Sequence, residues 1–434
     1  MVTVSVKRTE ELKGEVCAPS SKSYTQRMLI ASSLSSGTSK ISGPLISDDT
    51  DATLRAVKAL GAKVKGAKAC WTVDGASTLK GAKEPIDCGE SGATLRFMIP
   101  VAALAAESSV FLLGSSLAQR PIEPLLGSLE QLGVKTSIEK VGIKPSIKVQ
   151  GGGIAGGNTS IRGDVSSQFI SGLMFACPLA RTDTEITLTT PLESKGYVEM
   201  TGEVLAKHGI EVIASADYSQ IRIPSRQTYK ACDDRVPGDF SSAAFLLVAA
   251  AITRSEVTVK NLDYSLVQGD KAIMGILNQM GVKGKVCSSQ IEIKGIGEPL
   301  EALDVSAKDT PDLVPVCSAL ACYAKGISRI HNAQRLKLKE SDRLSSLYLE
   351  LRKMGANIIM DEDSLIIKGP CKLHGSDIGS HNDHRIAMAC TVAALGAEGE
   401  TRIHDAECVK KSYPRVFNDL RSLGANIVGG KFNR

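Results

Sequence analysis

Six times along the chain, a run that is apolar nearly all round gives way to a strand-like run, then an amphipathic run ending in glycine. Phe245-Leu-Leu-Val-Ala-Ala-Ala251 and Val314-Pro-Val-Cys-Ser-Ala-Leu-Ala321 have no polar face, and a helix of that kind has to be buried. The strand-like runs are Thr38-Ser-Lys-Ile41, Val110-Phe-Leu-Leu113, Ile186-Thr-Leu188, Val257-Thr-Val259, Ile327-Ser-Arg-Ile330 and Thr401-Arg-Ile403. Runs such as Leu125-Leu-Gly-Ser-Leu-Glu-Gln-Leu132 are apolar on one side only and are predicted to cover a surface. The closing glycines, Gly61, Gly133, Gly209, Gly281, Gly355 and Gly424, recur every 69 to 76 residues. Each suits the left-handed residue just past a helix. Two alternating strands follow, as in Asn357-Ile-Ile359 and Leu365-Ile-Ile367.

The predicted architecture is therefore α/β, with two domains each built of three repeated βαβαββ-type units around buried parallel helices. Six units exceed one core, and three make a domain of ordinary size. The sixth unit ends at Arg434 without its last strand, and the alternating Val2, Val4 and Val6 are expected to supply it. The expected division is residues 20–235 against residues 1–19 with 236–434. Crossings near Pro19-Ser-Ser21 and between Pro224 and Pro237 would make a hinge, and a hinge implies a closing cleft.

Composition narrows the function. At 43% hydrophobic and 23% charged the chain is globular, and a net charge of +5 accommodates small anions. No basic block or aromatic platform points to nucleic acid, and no apolar run reaches the roughly 18 residues of a membrane helix. The 11 cysteines include no CxxC pair, so no metal site is expected. Reduced thiols and the absence of a leader pattern predict a cytoplasmic protein.

The buried helices are predicted to start at Ser21-Lys-Ser23, Glu90-Ser-Gly-Ala93, Ser166-Ser-Gln168, Asp239-Phe-Ser-Ser242, Asp309-Thr-Pro-Asp312 and Asn382-Asp-His-Arg385, each with a residue suited to an N-cap. Helix N-termini attract anions. Cations gather at the same places: Lys22, Arg27, Arg120, Arg343, Arg385 and Lys411. Arginine suits bidentate grip on carboxylate and phosphate, so ligands with several negative charges are expected. Arg335-Leu-Lys-Leu-Lys-Glu-Ser-Asp-Arg343 adds a carboxylate able to move a proton, Glu340, at the mouth of a predicted helix. Asp48-Asp49 reads as a cap for the second helix of the first unit.

Pro19-Ser-Ser-Lys-Ser-Tyr-Thr-Gln-Arg27, Glu90-Ser-Gly-Ala-Thr-Leu-Arg96, Gln119-Arg-Pro-Ile122, Ser166-Ser-Gln168, Ser194-Lys-Gly-Tyr197, Pro311-Asp312, Lys339-Glu-Ser-Asp-Arg343, Asn382-Asp-His-Arg385 and Lys411-Ser-Tyr-Pro414 occur in this order across almost the whole chain. Together they resemble the motifs of the 5-enolpyruvylshikimate-3-phosphate synthases. The resemblance implies an inside-out α/β fold and transfer of the enolpyruvyl group of phosphoenolpyruvate to the 5-hydroxyl of shikimate 3-phosphate, on the route to chorismate. It implies that Lys22, Ser23, Arg27, Ser166, Ser167, Gln168, Ser194, Tyr197, Asp312 and Lys339 hold shikimate 3-phosphate. Lys22, Gly92, Arg120, Gln168, Arg343, Arg385 and Lys411 would hold phosphoenolpyruvate. Lys22, Asp312, Glu340 and His384 would be catalytic: Asp312 as base for the hydroxyl, Glu340 for the methylene and methyl proton, Lys22 and His384 assisting the departing phosphate. A monomer with two small-molecule substrates and no cofactor, metal, nucleic acid or membrane partner is expected, with glyphosate competing at the phosphoenolpyruvate site.

Glu90 and Ala93 stand where the family often has asparagine and threonine. Arg335 stands where some members use asparagine toward the shikimate phosphate. Two rivals are the sister transferase acting on UDP-N-acetylglucosamine and a non-enzymatic binder of anions or RNA. The former usually carries a reactive cysteine, in some members aspartate, in the loop that reads Gly114-Ser-Ser-Leu-Ala-Gln-Arg-Pro121 here and holds neither.

Overall fold

The computed structural model describes residues 2–67, 69–76, 78–294 and 299–432. The chain divides into two compact bodies: Ser20–Val236, and the residues up to Pro19 together with those from Pro237 onward. Each has its own apolar core.

Helices alternate in role along the chain. In the body Ser20–Val236 they are α1 (Lys22–Leu34), α2 (Asp48–Ala59), α3 (Gly92–Ala102), α4 (Glu123–Gln131), α5 (Ser167–Ala176) and α6 (Lys195–Lys207). In the other body they are α7 (Phe240–Ile252), α8 (Ile273–Gln279), α9 (Val314–Ala321), α10 (Arg343–Lys353), α11 (His384–Leu395) and α12 (Val416–Ser422). The odd-numbered helices are buried. Every residue of α3, α7, α9 and α11 is buried, as the apolar runs that make up most of each require. Helices α7, α9 and α11 pack on one another, and α3 meets α5 through the edge-to-face contact of Phe97 and Phe175. The even-numbered helices bury one stripe each and cover the sheets.

Among the described residues six small sheets complete the units in one order, the fifth differing only in having two short strands, Leu300–Glu301 and Asp304–Ser306, on its parallel edge. In the third unit, Gly157–Ile161 runs parallel to Thr184–Leu188, which pairs antiparallel with Gln220–Ile223. The parallel pair encloses α5, so the buried helix is a crossover between two strands of one sheet. The N-terminal strand Val4–Lys7 lies antiparallel between Glu400–His404 and Ile427–Val428. The strands just before α1 and α7 belong to the bodies the chain is leaving. Lys13–Cys17 pairs with Glu256–Lys260, and Asp234–Arg235 with Thr38–Ser42. The six repeat glycines all have positive φ, between +75° and +110°, which is why a side chain is excluded there.

Two sequence expectations change. The predicted start of α9 at Asp309–Asp312 is a turn; the helix begins at Val314 behind Leu313 and has no side-chain cap. Asp312 is thereby released for other partners. The cap of α2 is Ser47, whose hydroxyl accepts from Thr50 N, and not Asp48-Asp49. Side chains do cap the other five buried helices: Ser21, Ser91, Ser166, Asp239 and Asp383. Such a cap is typically worth ~1 kcal/mol.

Candidate active site

The sequence-predicted residues lie at helix starts, buried and covering alike, and in the loops beside them. In the body Ser20–Val236, Lys22 opens α1 and its ammonium meets Asp49 Oδ2 at 2.9 Å. One turn on, Arg27 is buried and donates to Thr201 Oγ1 (2.8 Å) and to the carbonyls of Ser23 and Tyr197 (both 3.1 Å). Its guanidinium lies over the Phe97 ring at 5.0 Å, and burial draws its pKa down to about 10. Ser194 precedes α6 in a left-handed conformation (φ 57°), and Tyr197 is half-buried in the first turn. These contacts bring Ser23, Arg27 and Tyr197 together.

A second group forms around the start of α3. Arg96 Nη1 donates to Gln168 Oε1 at 2.9 Å and approaches Ser166 Oγ at 3.5 Å, tying α3 to α5. A methyl group on Gly92 would stand 3.4 Å from Arg120 Nη1 and 3.5 Å from Arg96 Nη1. Two guanidinium heads thus border the same glycine. Arg120 Nη2 donates to Ser116 Oγ (3.1 Å), and Glu90 accepts from the backbone N–H of Ser116 (3.2 Å) and Leu117 (2.7 Å). The carboxylate of Glu90 therefore fixes the loop that presents Arg120.

In the other body Arg343 is the hub, with 1% of its side chain exposed. Its Nε donates to Asp383 Oδ2 (2.8 Å), Nη1 to Asp312 Oδ1 (2.9 Å) and Nη2 to Glu340 Oε2 (2.7 Å). Arg385 Nη2 donates to the second oxygen of Asp312 at 2.9 Å, and Nη1 to its carbonyl at 3.0 Å. Lys411 Nζ stands 3.5 Å from Glu340 Oε1. Burial alone would raise the Asp312 pKa, but Arg385, Lys339 and Arg343 together hold its carboxyl well below the usual range. Desolvation draws half-buried Lys339 down to about 8, against the pull of Asp312. His384, the first residue of α11, is almost wholly buried, with Nδ1 3.7 Å from Asp383 Oδ1. Arg335 donates to the Lys308 carbonyl at 2.9 Å.

A family model described as EPSP synthase (3-phosphoshikimate 1-carboxyvinyltransferase) matches residues 6–420. The chain belongs to the EPSP synthase family. It is similar to the 3-phosphoshikimate 1-carboxyvinyltransferase of Methanocaldococcus jannaschii, 41% identical over 430 residues, spanning 98% of this chain and 99% of that one. The enzyme of the same name from Clostridium perfringens is 39% identical over 420 residues, spanning 96% and 98%. Among solved structures, EPSP synthase from Acinetobacter baumannii matches with a TM-score of 0.83 at 26% identity, over 99% of this chain and 100% of that chain. The enolpyruvyl transferase NikO from Streptomyces tendae shares the fold, with a TM-score of 0.80 at 18% identity over 99% and 98% of the two chains. The two-domain inside-out α/β architecture is that of the EPSP synthase family.

Four charged residues in these networks were absent from the sequence-predicted site. Asp49 pairs with Lys22, Glu90 and Arg96 surround Gly92 and Arg120, and Asp383 orients Arg343. Glu90, Arg96 and Asp383 each lie within a motif already singled out, so their position was the available signal. For Asp49 the sequence offered only an acid near a helix start, which describes any cap.

Proposed function

We propose that this chain transfers the enolpyruvyl group of phosphoenolpyruvate to the 5-hydroxyl of shikimate 3-phosphate, releasing phosphate. The observation that carries the chemistry is one arginine, Arg343, shared by Glu340, Asp312 and Asp383, with Lys411 beside the other oxygen of Glu340. Carboxylates able to move protons and cations able to hold an anion meet within single side-chain contacts there. Family membership supports the substrate pair, and the loop Gly114–Pro121, without cysteine or aspartate, fits it better than a UDP-sugar acceptor.

In this reading Ser23, Arg27, Ser166, Ser167, Gln168, Ser194, Tyr197 and Lys339 hold shikimate 3-phosphate. Arg120, Arg343, Arg385 and Lys411 hold phosphoenolpyruvate, with Gly92 admitting its phosphate. Gln168 and Lys22 contact both. Glu340 gives a proton to the methylene carbon, which makes C2 electrophilic. The 5-hydroxyl oxygen bonds to C2 while Asp312 takes its proton, giving a tetrahedral intermediate. The bond from C2 to the phosphate oxygen then breaks and the methyl group returns a proton to Glu340, so the enol double bond is restored. An anion drawing on Arg343 and Arg385 loosens their hold on Asp312 and makes it a better base. Lys22, with 18% of its side chain exposed, and His384 at the start of α11 assist the departing phosphate. Among the described residues no helix is long and apolar enough to cross a membrane; a cytoplasmic monomer completes the proposal.

The test is phosphate release from phosphoenolpyruvate with shikimate 3-phosphate, run beside UDP-N-acetylglucosamine. Release with the first and not the second is expected; no release with shikimate 3-phosphate would overturn the reading.

A further inference from the structure

Helix α10 carries a second buried charge that the proposed chemistry does not use. Glu350 lies seven residues after Arg343, two helical turns along, and therefore on the same face. It is 2% exposed. Its Oε1 accepts from His381 Nε2 (2.7 Å) and Lys353 Nζ (2.9 Å), and its Oε2 from Gly379 N (3.1 Å) and Lys353 Nζ (2.8 Å). Burial would raise the Glu350 pKa, but these donors outweigh it and keep the carboxyl below its usual value. The carboxylate is thus an acceptor, and His381 carries its proton on Nε2.

The segment it grips is strained. His381 and Asn382 are consecutive left-handed residues, with φ of 52° and 54°, a conformation costly for any side chain and least so for residues such as these. The next residue is Asp383. Its backbone N–H donates to the Ser380 carbonyl (2.9 Å), its Oδ1 accepts from Arg385 N (2.9 Å), and its Oδ2 from Arg343 Nε (2.8 Å) and Ser341 Oγ (3.2 Å). Both ends of one face of α10 therefore hold one turn: Glu350 grips Gly379 and His381, and Arg343 grips Asp383. Lys353 is half exposed, so solvent weakens its share. The bonds from His381 and Gly379 are the ones that define the turn.

We propose that Glu350, acting through His381, is a positioning residue that holds the 379–382 turn so that Asp383 aligns Arg343 and the start of α11 aligns Arg385. The inference rests on the reading that Arg343 and Arg385 grip the phosphoenolpyruvate anion. It predicts a defect confined to that substrate.

Glu350→Gln keeps the shape and removes the charge; His381→Ala removes the ring donor, and His381→Gln leaves an N–H within reach. Steady-state kinetics of each folded variant are expected to show KM for phosphoenolpyruvate raised at least tenfold in Glu350→Gln and His381→Ala. KM for shikimate 3-phosphate should stay within twofold, and His381→Gln should recover most of the loss. Unchanged KM for phosphoenolpyruvate, with only a lower Tm, would overturn the proposal by reducing Glu350 to a stability role. Should Glu350→Gln fail to fold, the pair of variants at His381, one-third exposed, decides the matter on the same readout. Arg385→Lys is the control. If it leaves KM for phosphoenolpyruvate unchanged, the anion-site reading fails and the inference with it. If it raises KM while the Glu350 and His381 variants do not, the inference alone fails.

Discussion

Arg343 donates to Glu340 at 2.7 Å, three residues back along the chain, across the start of the helix that Arg343 opens. The pair joins the proposed proton carrier directly to the proposed anion clamp. Removing the carboxylate should leave anion binding in place and remove proton transfer. Glu340→Ala is expected to bind phosphoenolpyruvate and shikimate 3-phosphate within a few-fold of the parent while turnover falls about 10²–10⁴-fold. Calorimetric titration set beside phosphate release checks both halves; undiminished turnover would reject the role.

Glu90 acts on the other clamp. Its two oxygens accept from the N–H groups of Ser116 and Leu117 and so set the loop carrying Arg120. Charge-assisted bonds of this kind contribute about 1.5–3 kcal/mol each. Glu90→Ala should raise KM for phosphoenolpyruvate by about tenfold or more with little effect on KM for shikimate 3-phosphate. Equal changes in both would place Glu90 outside the loop's positioning.

At Gly92 the two arginine heads leave room for a methyl group only at van der Waals contact. Gly92→Ala should therefore fold normally, with Tm within a few degrees of the parent. An anion held between those heads would be crowded, at a typical overpacking cost of roughly 1–3 kcal/mol. Inhibition by glyphosate should weaken by about tenfold in a competition assay against phosphoenolpyruvate; identical inhibition of parent and variant would contradict this placement.

Two groups predict pH dependence, one of activity and one of stability. Lys339 loses its charge as pH rises through about 8. The catalytic efficiency for shikimate 3-phosphate should fall above that pH, and Lys339→Met should be low and lack that step.

Asp270 lies just before α8 and accepts from the Ser241 hydroxyl in α7; burial and then Asp312 push it up to about 7 from an ordinary 3.8. The folded protein keeps this proton where the unfolded chain has lost it, so stability declines as pH rises from about 4 to about 7 and levels off above. Asp270→Asn should raise Tm most at pH 8 and least near pH 4. A Tm gain that does not change with pH would show that the carboxyl is not the cause.

The repeat was legible because its physics is local. Helices without a polar face and glycines at fixed spacing mark six units, and α7 with all its residues buried is what Phe240–Ile252 dictates. The individual roles of acids were not legible. Asp49, Asp312 and Asp383 all read as helix caps, yet one is a cap and all three hold cations. Which role an acid takes depends on a partner 27 to 40 residues away, a distance that no local pattern encodes. Glu350 did leave a trace. It interrupts the buried stripe Leu344, Leu347 and Leu351 of an amphipathic helix, and a charge in such a stripe needs a partner.

In the proposed chemistry the methylene of phosphoenolpyruvate becomes a methyl group by proton transfer from Glu340 and then gives a proton back. Turnover in deuterium oxide, with the product read by mass spectrometry, tests it directly. Deuterium at the enol methylene of the product is the predicted result, because the acid exchanges with solvent before it reaches the carbon. A product carrying only protium there would mean that the group moves without that step, and would contradict the account.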